Sequence, residues 1–108
     1  MSFFSMFLGG KGFDAYVEEA NEVGGTFLDV RTPGEFQDGH LQGALNIPLN
    51  DIERTAKKVK DKSTPLYVYC RSGSRSSFAV RALQSMGYTN VTDIGGIMMY
   101  RGAVVRGK

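Results

Sequence analysis

The sequence has few of the residues on which disulfide scaffolds and metal sites depend. Its 108 residues include one cysteine, one histidine and no tryptophan. A single cysteine cannot form an internal disulfide, which excludes a disulfide-stapled secreted domain. One histidine and one cysteine, without carboxylates at ligand spacing, do not make a zinc site. The chain also lacks a glycine-rich nucleotide fingerprint, so we expect neither a metal ion nor another cofactor.

Neither charge nor hydrophobicity is gathered into a long run. The 13 Lys and Arg residues, against 11 Asp and Glu, are spread from Lys11 to Lys108, so we expect no nucleic-acid partner. The apolar stretch Met1–Leu8 has no basic region before it and is too short to span a bilayer. These features predict a cytoplasmic protein with no membrane span, a short apolar N-terminal tail at residues 1–12 and one domain at residues 13–108.

The hydrophobic periodicity alternates between that of strands and that of helices. Five short strands are predicted, at residues 26–30, 44–48, 66–69, 91–94 and 103–105. Helical spacing is found at residues 13–20 and 79–86. Asn50 and Glu53 form a capping-box pattern for a third helix that runs to about Lys58. The pattern predicts an α/β fold, with a mainly parallel central sheet of about five short strands and helices on both faces.

Chemically distinctive residues lie at the ends of four predicted strands. They are Asp29 to Arg31, Asn46, Cys70 to Arg75, and Gly95–Gly96, the last of which is predicted to form a sharp turn. In parallel sheets, ligands bind beyond the carboxyl ends of the strands. We therefore expect these four segments to meet at one edge of the sheet.

The only cysteine ends an apolar strand and precedes a helix. Five small or basic residues follow it: Arg71, Ser72, Gly73, Ser74 and Arg75. The free N–H groups and dipole of the helix, together with the two arginines, favour a thiolate at Cys70 and an anion beside it. The serines, with Ser76 after them, supply small hydrogen-bond donors. The pattern indicates a nucleophilic cysteine in an anion-binding loop, and the alternative is a buried core cysteine.

Four ordered segments of the chain resemble the single-domain rhodaneses, which are thiosulfate sulfurtransferases and their relatives. These segments are Leu28–Arg31, Glu35–Pro48, Tyr69–Ser76 and Asp93–Ile97. The resemblance, which runs from about Phe13 to Lys108, implies a rhodanese-like domain. It implies transfer of a sulfane sulfur from thiosulfate, or another small sulfur-containing anion, through a persulfide on Cys70. The acceptor would be cyanide in vitro, and a thiol or a protein in the cell.

Two other activities remain open. A sulfur-relay module would bind a persulfide loaded by a partner enzyme and turn over little thiosulfate. Phosphatases with a related cysteine loop place their arginine one residue further from the cysteine than Arg75 lies from Cys70. The shorter loop therefore favours sulfur transfer over phosphatase or arsenate reductase chemistry.

The remaining polar and aromatic residues near the motif are predicted to be structural. Asp29 and Arg31 are expected to form an ion pair that supports the cysteine loop, a role that the family resemblance also implies, although a catalytic role is the alternative. His40 is expected to be a structural histidine in a tight turn rather than a general base. Tyr100 stands near where the family commonly has tryptophan, so we expect a packing change. Met98–Met99 are expected to fill a pocket or the core, and the alternative is that they shape access to Cys70.

Overall fold

In the computed structural model, which describes residues 11–108, four strands form one sheet. The strands are β1 Thr26–Asp29, β2 Leu45–Asn46, β3 Leu66–Cys70 and β4 Val91–Gly96. Their order is β2-β1-β3-β4, and each neighbouring pair is parallel. The α/β fold and its parallel sheet are therefore confirmed. The predicted tail at residues 1–12 falls almost entirely outside the described residues, so the predicted domain division stays a prediction.

Helices connect the strands and cover the sheet. Those of residues 11–108 are α1 Phe13–Val23, α2 Pro33–Asp38, a 3₁₀ helix Leu49–Arg54, α3 Thr55–Lys58, α4 Ser74–Ser85 and a second 3₁₀ helix Ile97–Met99. Gly24 ends α1 in the left-handed region, with φ of 71°, and its N–H donates to the carbonyl of Ala20. None of the helices in this part of the chain has the length and apolar character needed to cross a membrane.

The side chains of β3 alternate between two cores on opposite faces of the sheet. On one face, Val68 and Cys70 belong to a buried cluster that includes Ala79 and Leu83 of α4. On the other face, Tyr67 and Tyr69 pack in a cluster with α1 residues, namely Phe13, Val17 and Ala20. This alternation follows from the two-residue period of a strand. It confirms helices on both faces and places the Cys70 side chain on the α4 side.

The predicted fifth strand at residues 103–105 is not part of the sheet. Val105 forms a single antiparallel bridge with His40, with two backbone hydrogen bonds of 2.9 Å. Because Val105 pairs with a turn residue and not with a strand, the pairing does not extend further. The sheet in residues 11–108 therefore has four strands instead of about five.

The predicted capping box at Asn50 and Glu53 is wrong. That segment begins as a 3₁₀ helix after Pro48, which provides no side-chain cap, and Asn50 lies inside the helix. A capping box occurs instead at α2, where the hydroxyl of Thr32 accepts from the Glu35 N–H at 3.2 Å. The Glu35 carboxylate accepts from the Thr32 N–H at 3.1 Å. Proline in the first turn of α2 further favours this start.

A bulge replaces the sharp turn predicted at Gly95–Gly96, which form the last two residues of β4. Val68 pairs with Asp93, whereas the next residue, Tyr69, pairs with Gly95, so one extra residue lies on β4. Gly95 has φ of 90°, a conformation that favours glycine. The bulge brings the end of β4 alongside Cys70.

Candidate functional site

The carboxyl ends of the four strands bring together the residues predicted to meet there. Asp29 pairs with Asn46 on one side and with Tyr69 on the other, and Cys70 pairs with Gly96. The Asn46 side-chain amide donates to the Asp29 carbonyl at 3.0 Å. The prediction that these segments share one edge is confirmed.

The sulfur of Cys70 lies in a cradle of backbone donors. The residue is 0% exposed. The N–H of Gly73 lies 3.0 Å from Sγ, and the N–H of Ser76, in the first turn of α4, lies 3.4 Å from it. The hydroxyl of Ser76 lies 3.6 Å from Sγ and donates to the Gly73 carbonyl at 3.0 Å. Two N–H groups directed at one sulfur can stabilise negative charge there.

Of the small and basic loop residues, Gly73 alone has a described hydrogen bond to the sulfur. Arg71, Ser72 and Ser74 are exposed to solvent. The carbonyl of Arg71 accepts from the Met98 N–H at 3.1 Å, which fixes the loop backbone while the side chain remains exposed. The substrate-binding roles predicted for these residues stay predictions.

Gly96 lets the cysteine loop lie directly on β4. A Cβ atom placed on Gly96 would lie 2.6 Å from Cα of Ser72 and would overlap the carbonyl oxygen of Arg71. Gly73 has φ of 110°, a conformation that favours glycine, but a Cβ atom there would make only an ordinary contact with Gly95. The absence of side chains at the end of β4 therefore sets the position of the loop that carries the N–H donors.

Arg75 forms an ion pair with Glu35 that the sequence pattern did not predict. Its two terminal nitrogens donate to the two carboxylate oxygens of Glu35 at 2.7 and 2.9 Å. The ion pair joins the first turn of α4 to the first turn of α2. Such two-pronged pairs are stronger than single contacts. The guanidinium of Arg75 is thus already engaged by a carboxylate, and its predicted contact with substrate stays a prediction.

The Arg75 guanidinium lowers the pKa of Glu35 to about 2, from an ordinary value of 4.5. Glu35 is therefore ionised in the folded protein at pH values where it is protonated in the unfolded chain. This group adds stability above about pH 4.5, and the contribution is lost as the pH falls to about 2. Because both side chains are about one-third exposed, we expect screening to limit the loss to about 1 kcal/mol.

Urea unfolding at neutral pH and near pH 2.5 gives the change in the free energy of unfolding between the two pH values. Because other acidic groups also contribute to this change, the part that belongs to Glu35 is the difference between wild type and a variant that lacks the Glu35 carboxylate. Glu35→Gln should lack the Glu35 component, whereas Glu18→Gln, at an exposed position of α1, should retain it. The same acid dependence in wild type and Glu35→Gln would show that the ion pair contributes nothing to stability.

The predicted ion pair between Asp29 and Arg31 is present and buried, with exposures of 0% and 5%. Arg31 Nη2 lies 2.6 Å from Asp29 Oδ2, and the backbone N–H of Arg31 donates to Oδ1 at 2.9 Å. Burial opposes the charged guanidinium, but the hydrogen bonds and charge of Asp29 outweigh burial and raise the pKa of Arg31. Arg31 Nη2 also donates to the Gly39 carbonyl at 2.7 Å. These contacts connect β1 to the turn after α2, and the predicted support of the cysteine loop stays a prediction.

The His40 ring makes the contacts of a structural histidine. It stacks on the Phe36 ring with centroids 3.6 Å apart, and its Nδ1 lies 2.7 Å from the Phe36 carbonyl oxygen. Tyr100 packs against the ring of Phe13 at 5.5 Å, in the core beneath α1. Met98–Met99 are 56% and 69% exposed, so the prediction that they fill a pocket or the core is wrong. Ile97, the first residue of the 3₁₀ helix that carries them, packs against the core beneath α1, whereas both methionines are exposed.

A cavity of about 240 Å³, below the usual size range of ligand pockets, lies between the end of β1 and Arg75. Its lining residues are Val30, Thr32, Pro48, Leu49, Asn50 and Arg75. The Val30 N–H donates to the Tyr69 carbonyl at 3.0 Å, which makes Val30 a neighbour of Cys70 across the sheet. Both side chains belong to the same core cluster, so the cavity opens on the face of the sheet to which Cys70 points.

The chain is similar in sequence to known proteins. A family profile described as "Rhodanese-like domain" matches residues 13–102. Thiosulfate sulfurtransferase PspE of Escherichia coli is 46% identical over 72 residues, which cover 66% of this chain and 69% of that protein. The putative sulfur carrier protein YrkF of Bacillus subtilis is 33% identical over 67 residues, and the match covers 62% of this chain but only 36% of YrkF.

A solved structure shows the same fold. The structure titled "rhodanese with anions from E. coli" matches with a TM-score of 0.71 and 42% identity, covering 76% of this chain and 98% of that one. The profile match extends over most of the domain, from α1 past β4 and across the cysteine loop. The chain therefore belongs to the rhodanese-like domain family.

Proposed function

We propose that the protein is a sulfurtransferase that moves a sulfane sulfur from thiosulfate or a related donor to a thiophilic acceptor through a persulfide on Cys70. The observation that carries this proposal is the pair of N–H groups that lie 3.0 and 3.4 Å from the buried sulfur. They stabilise a thiolate before the reaction and a persulfide after it. The similarity to a protein named thiosulfate sulfurtransferase supports the same activity.

In the first step, the Cys70 thiolate attacks the outer sulfur of thiosulfate. A bond forms between the two sulfurs, the bond from the outer sulfur to the sulfonyl sulfur breaks, and sulfite leaves with the electron pair. The N–H groups of Gly73 and Ser76 stabilise the thiolate charge on Sγ before the attack, and after it the negative charge lies on the outer sulfur of the persulfide. The exposed side chain of Arg71 supplies the positive charge, unpaired among residues 11–108, that draws the anionic donor to the loop.

In the second step, a nucleophile such as cyanide attacks the outer sulfur of the persulfide. The bond between that sulfur and Cys70 Sγ breaks, thiocyanate leaves and the thiolate is restored. No general base is needed because the attacking and leaving groups are anions in both steps. The stacked His40 ring accordingly has no role in proton transfer.

A sulfur-relay module is the second candidate, because the sulfur is fully buried and Met98, which is hydrogen-bonded to the loop, is exposed. Such a module would receive its sulfur from a partner protein whose surface covers the loop. The similarity to a putative sulfur carrier protein supports this candidate. Its signature is persulfide formation that requires a cysteine desulfurase.

Mass spectrometry after incubation with thiosulfate tests the proposal. The wild-type protein should gain the mass of one sulfur atom on Cys70 and lose it when cyanide is added. A sulfur gain that occurs only with a cysteine desulfurase and its substrate would favour the relay module. Absence of the gain under both conditions, with hydrolysis of an aryl phosphate, would indicate phosphatase chemistry instead.

Gly96→Ala should slow sulfur transfer about tenfold to a hundredfold. The added methyl group overlaps the backbone of Arg71 and Ser72, so the loop must move away from β4. A displacement of about 1 Å is enough to cost on the order of a hundredfold in rate. Steady-state transfer to cyanide, with circular dichroism to confirm folding, measures the effect.

Gly34→Ala is the matched control because a methyl group at that position meets nothing within 4 Å. It should keep the wild-type rate. Equal rates for Gly96→Ala and Gly34→Ala would contradict the assigned role of the glycine at the end of β4.

A further inference from the structure

The charge of Arg75 is already compensated before any substrate arrives. Glu35 binds both terminal nitrogens of the guanidinium, and the two side chains are each about one-third exposed. A pair with this geometry has no net charge. An anion at the cysteine loop therefore meets a carboxylate as well as a guanidinium on the α2 side of the site.

Glu35 is fixed where it is by a second set of contacts. Its Oε1 accepts hydrogen bonds from the N–H and the hydroxyl of Thr32, both at 3.1 Å. These bonds form half of the capping box of α2, so movement of the carboxylate away from Arg75 would break that half. Glu35 consequently remains in competition with an incoming anion for Arg75.

Arg75 connects this pair to the reaction site. It is the fifth residue after Cys70, lies in the first turn of α4 and lines a cavity together with Val30, the neighbour of Cys70 across the sheet. The charge of Cys70 also contributes to the raised pKa of Arg75, after the larger contribution of the Glu35 carboxylate. Among the described contacts Glu35 binds Arg75 and not Cys70, so its effect on the reacting sulfur passes through Arg75.

We propose that Glu35 is a specificity-determining positioning residue, which holds Arg75 in a closed ion pair and so makes the site favour singly charged sulfur donors over doubly charged ones. This inference rests on the proposed sulfurtransferase function. The two N–H groups of the cradle stabilise one negative charge at the reacting sulfur, whichever donor is used. A second negative charge on the donor gains little from the paired guanidinium and is repelled by the carboxylate.

Two donors that differ by one charge test the proposal. Thiosulfate carries two negative charges and releases sulfite, whereas methanethiosulfonate carries one and releases methanesulfinate, and each transfers the same outer sulfur. The measured quantity is the ratio of kcat/KM for thiosulfate to kcat/KM for methanethiosulfonate, with cyanide as acceptor. In a two-step mechanism this ratio reports the first half-reaction. It is also independent of the fraction of folded enzyme.

Glu35→Gln should raise this ratio about tenfold, since it frees the charge of Arg75 while glutamine still serves in a capping box. Glu18→Gln removes the same charge from an exposed position of α1, on the opposite face of the sheet, and should leave the ratio unchanged. An unchanged ratio in Glu35→Gln, or an equal fall for both donors, would overturn the proposal.

A double variant separates this role from direct contact between Arg75 and the donor. Arg75→Gln leaves the Glu35 carboxylate unpaired and should lower the ratio about tenfold. Adding Glu35→Gln to that variant removes the second charge and should return the ratio to within about threefold of wild type. If Arg75 itself binds the doubly charged donor, the ratio of the double variant will stay as low as that of Arg75→Gln, which overturns the proposal.

The two proposals fail in different ways. If the wild-type protein forms no persulfide from either donor, the sulfurtransferase function is wrong. If a persulfide forms on Cys70 but the donor ratio does not respond to Glu35→Gln, only the role of Glu35 is wrong.

Discussion

Cys70→Ser is expected to lower sulfur transfer by at least about a thousandfold. Serine has a similar shape, so the cradle of Gly73 and Ser76 should remain in place. Its hydroxyl is a far weaker nucleophile at neutral pH, because the hydroxyl is protonated and only the thiolate form of a cysteine attacks sulfur. An oxygen at this position also cannot carry the persulfide through which the second step proceeds.

Transfer from thiosulfate to cyanide, together with mass spectrometry of the thiosulfate-treated protein, measures the loss. The variant should gain no sulfur atom. Ser77→Ala, at an exposed position of α4, is the control and should be loaded like the wild type. A Cys70→Ser protein that retained more than about a tenth of the transfer rate would refute the persulfide mechanism.

Asp29→Asn is expected to lower the free energy of unfolding by about 3–5 kcal/mol. The carboxylate is fully buried and is the charged partner of Arg31, whose side chain is also buried. Removal of one member of a buried ion pair leaves the other charge uncompensated, at a cost of this size. The remaining hydrogen bond from Arg31 to the Gly39 carbonyl cannot replace the lost charge.

Urea unfolding compares this variant with Asp38→Asn, an exposed position at the end of α2. The control should change stability by no more than about 0.5 kcal/mol. The double variant Asp29→Asn with Arg31→Met should recover part of the loss, since it also removes the unpaired charge. If Asp29→Asn and Asp38→Asn prove equally stable, the ion pair does not hold the end of β1.

The local order of strand, cysteine, loop and helix could be predicted because each step depends on neighbouring residues. An apolar run made β3 predictable, and the apolar spacing after Arg75 predicted α4. The meeting of Asp29, Asn46 and Cys70 followed from a general rule about parallel sheets. The first prediction depends on the pattern of neighbouring residues, and the second depends on the alternation of strands and helices along the sequence.

The ion pair between Glu35 and Arg75 could not be predicted, because it joins residues that are far apart in the chain. Glu35 and Arg75 are separated by 40 positions, and no periodicity indicates that their side chains meet. The capping-box pattern at Thr32 and Glu35 indicates where α2 begins, but it does not indicate that Glu35 also binds Arg75. At the predicted capping box of Asn50, the start at Pro48 produces a 3₁₀ helix in which Asn50 has no capping role.

The exposed methionines and the absent fifth strand show the same limitation. Met98 and Met99 are apolar, yet a 3₁₀ helix of three residues after β4 leaves them outside both cores. Val105 is β-branched, a residue type enriched in strands, but it pairs with the turn at His40. Propensity ranks residues for a strand without indicating whether a strand is available to pair with.

The two edges of the sheet also bear on self-association. One edge is β2, which has two residues, and the opposite edge is β4, which carries the bulge before Gly95. Short and bulged edge strands offer a poor template for intermolecular strand addition, the route by which exposed sheet edges lead to fibrils. The bulge at Gly95, which brings the end of β4 alongside the cysteine loop, therefore also makes β4 a poor partner for edge-to-edge aggregation.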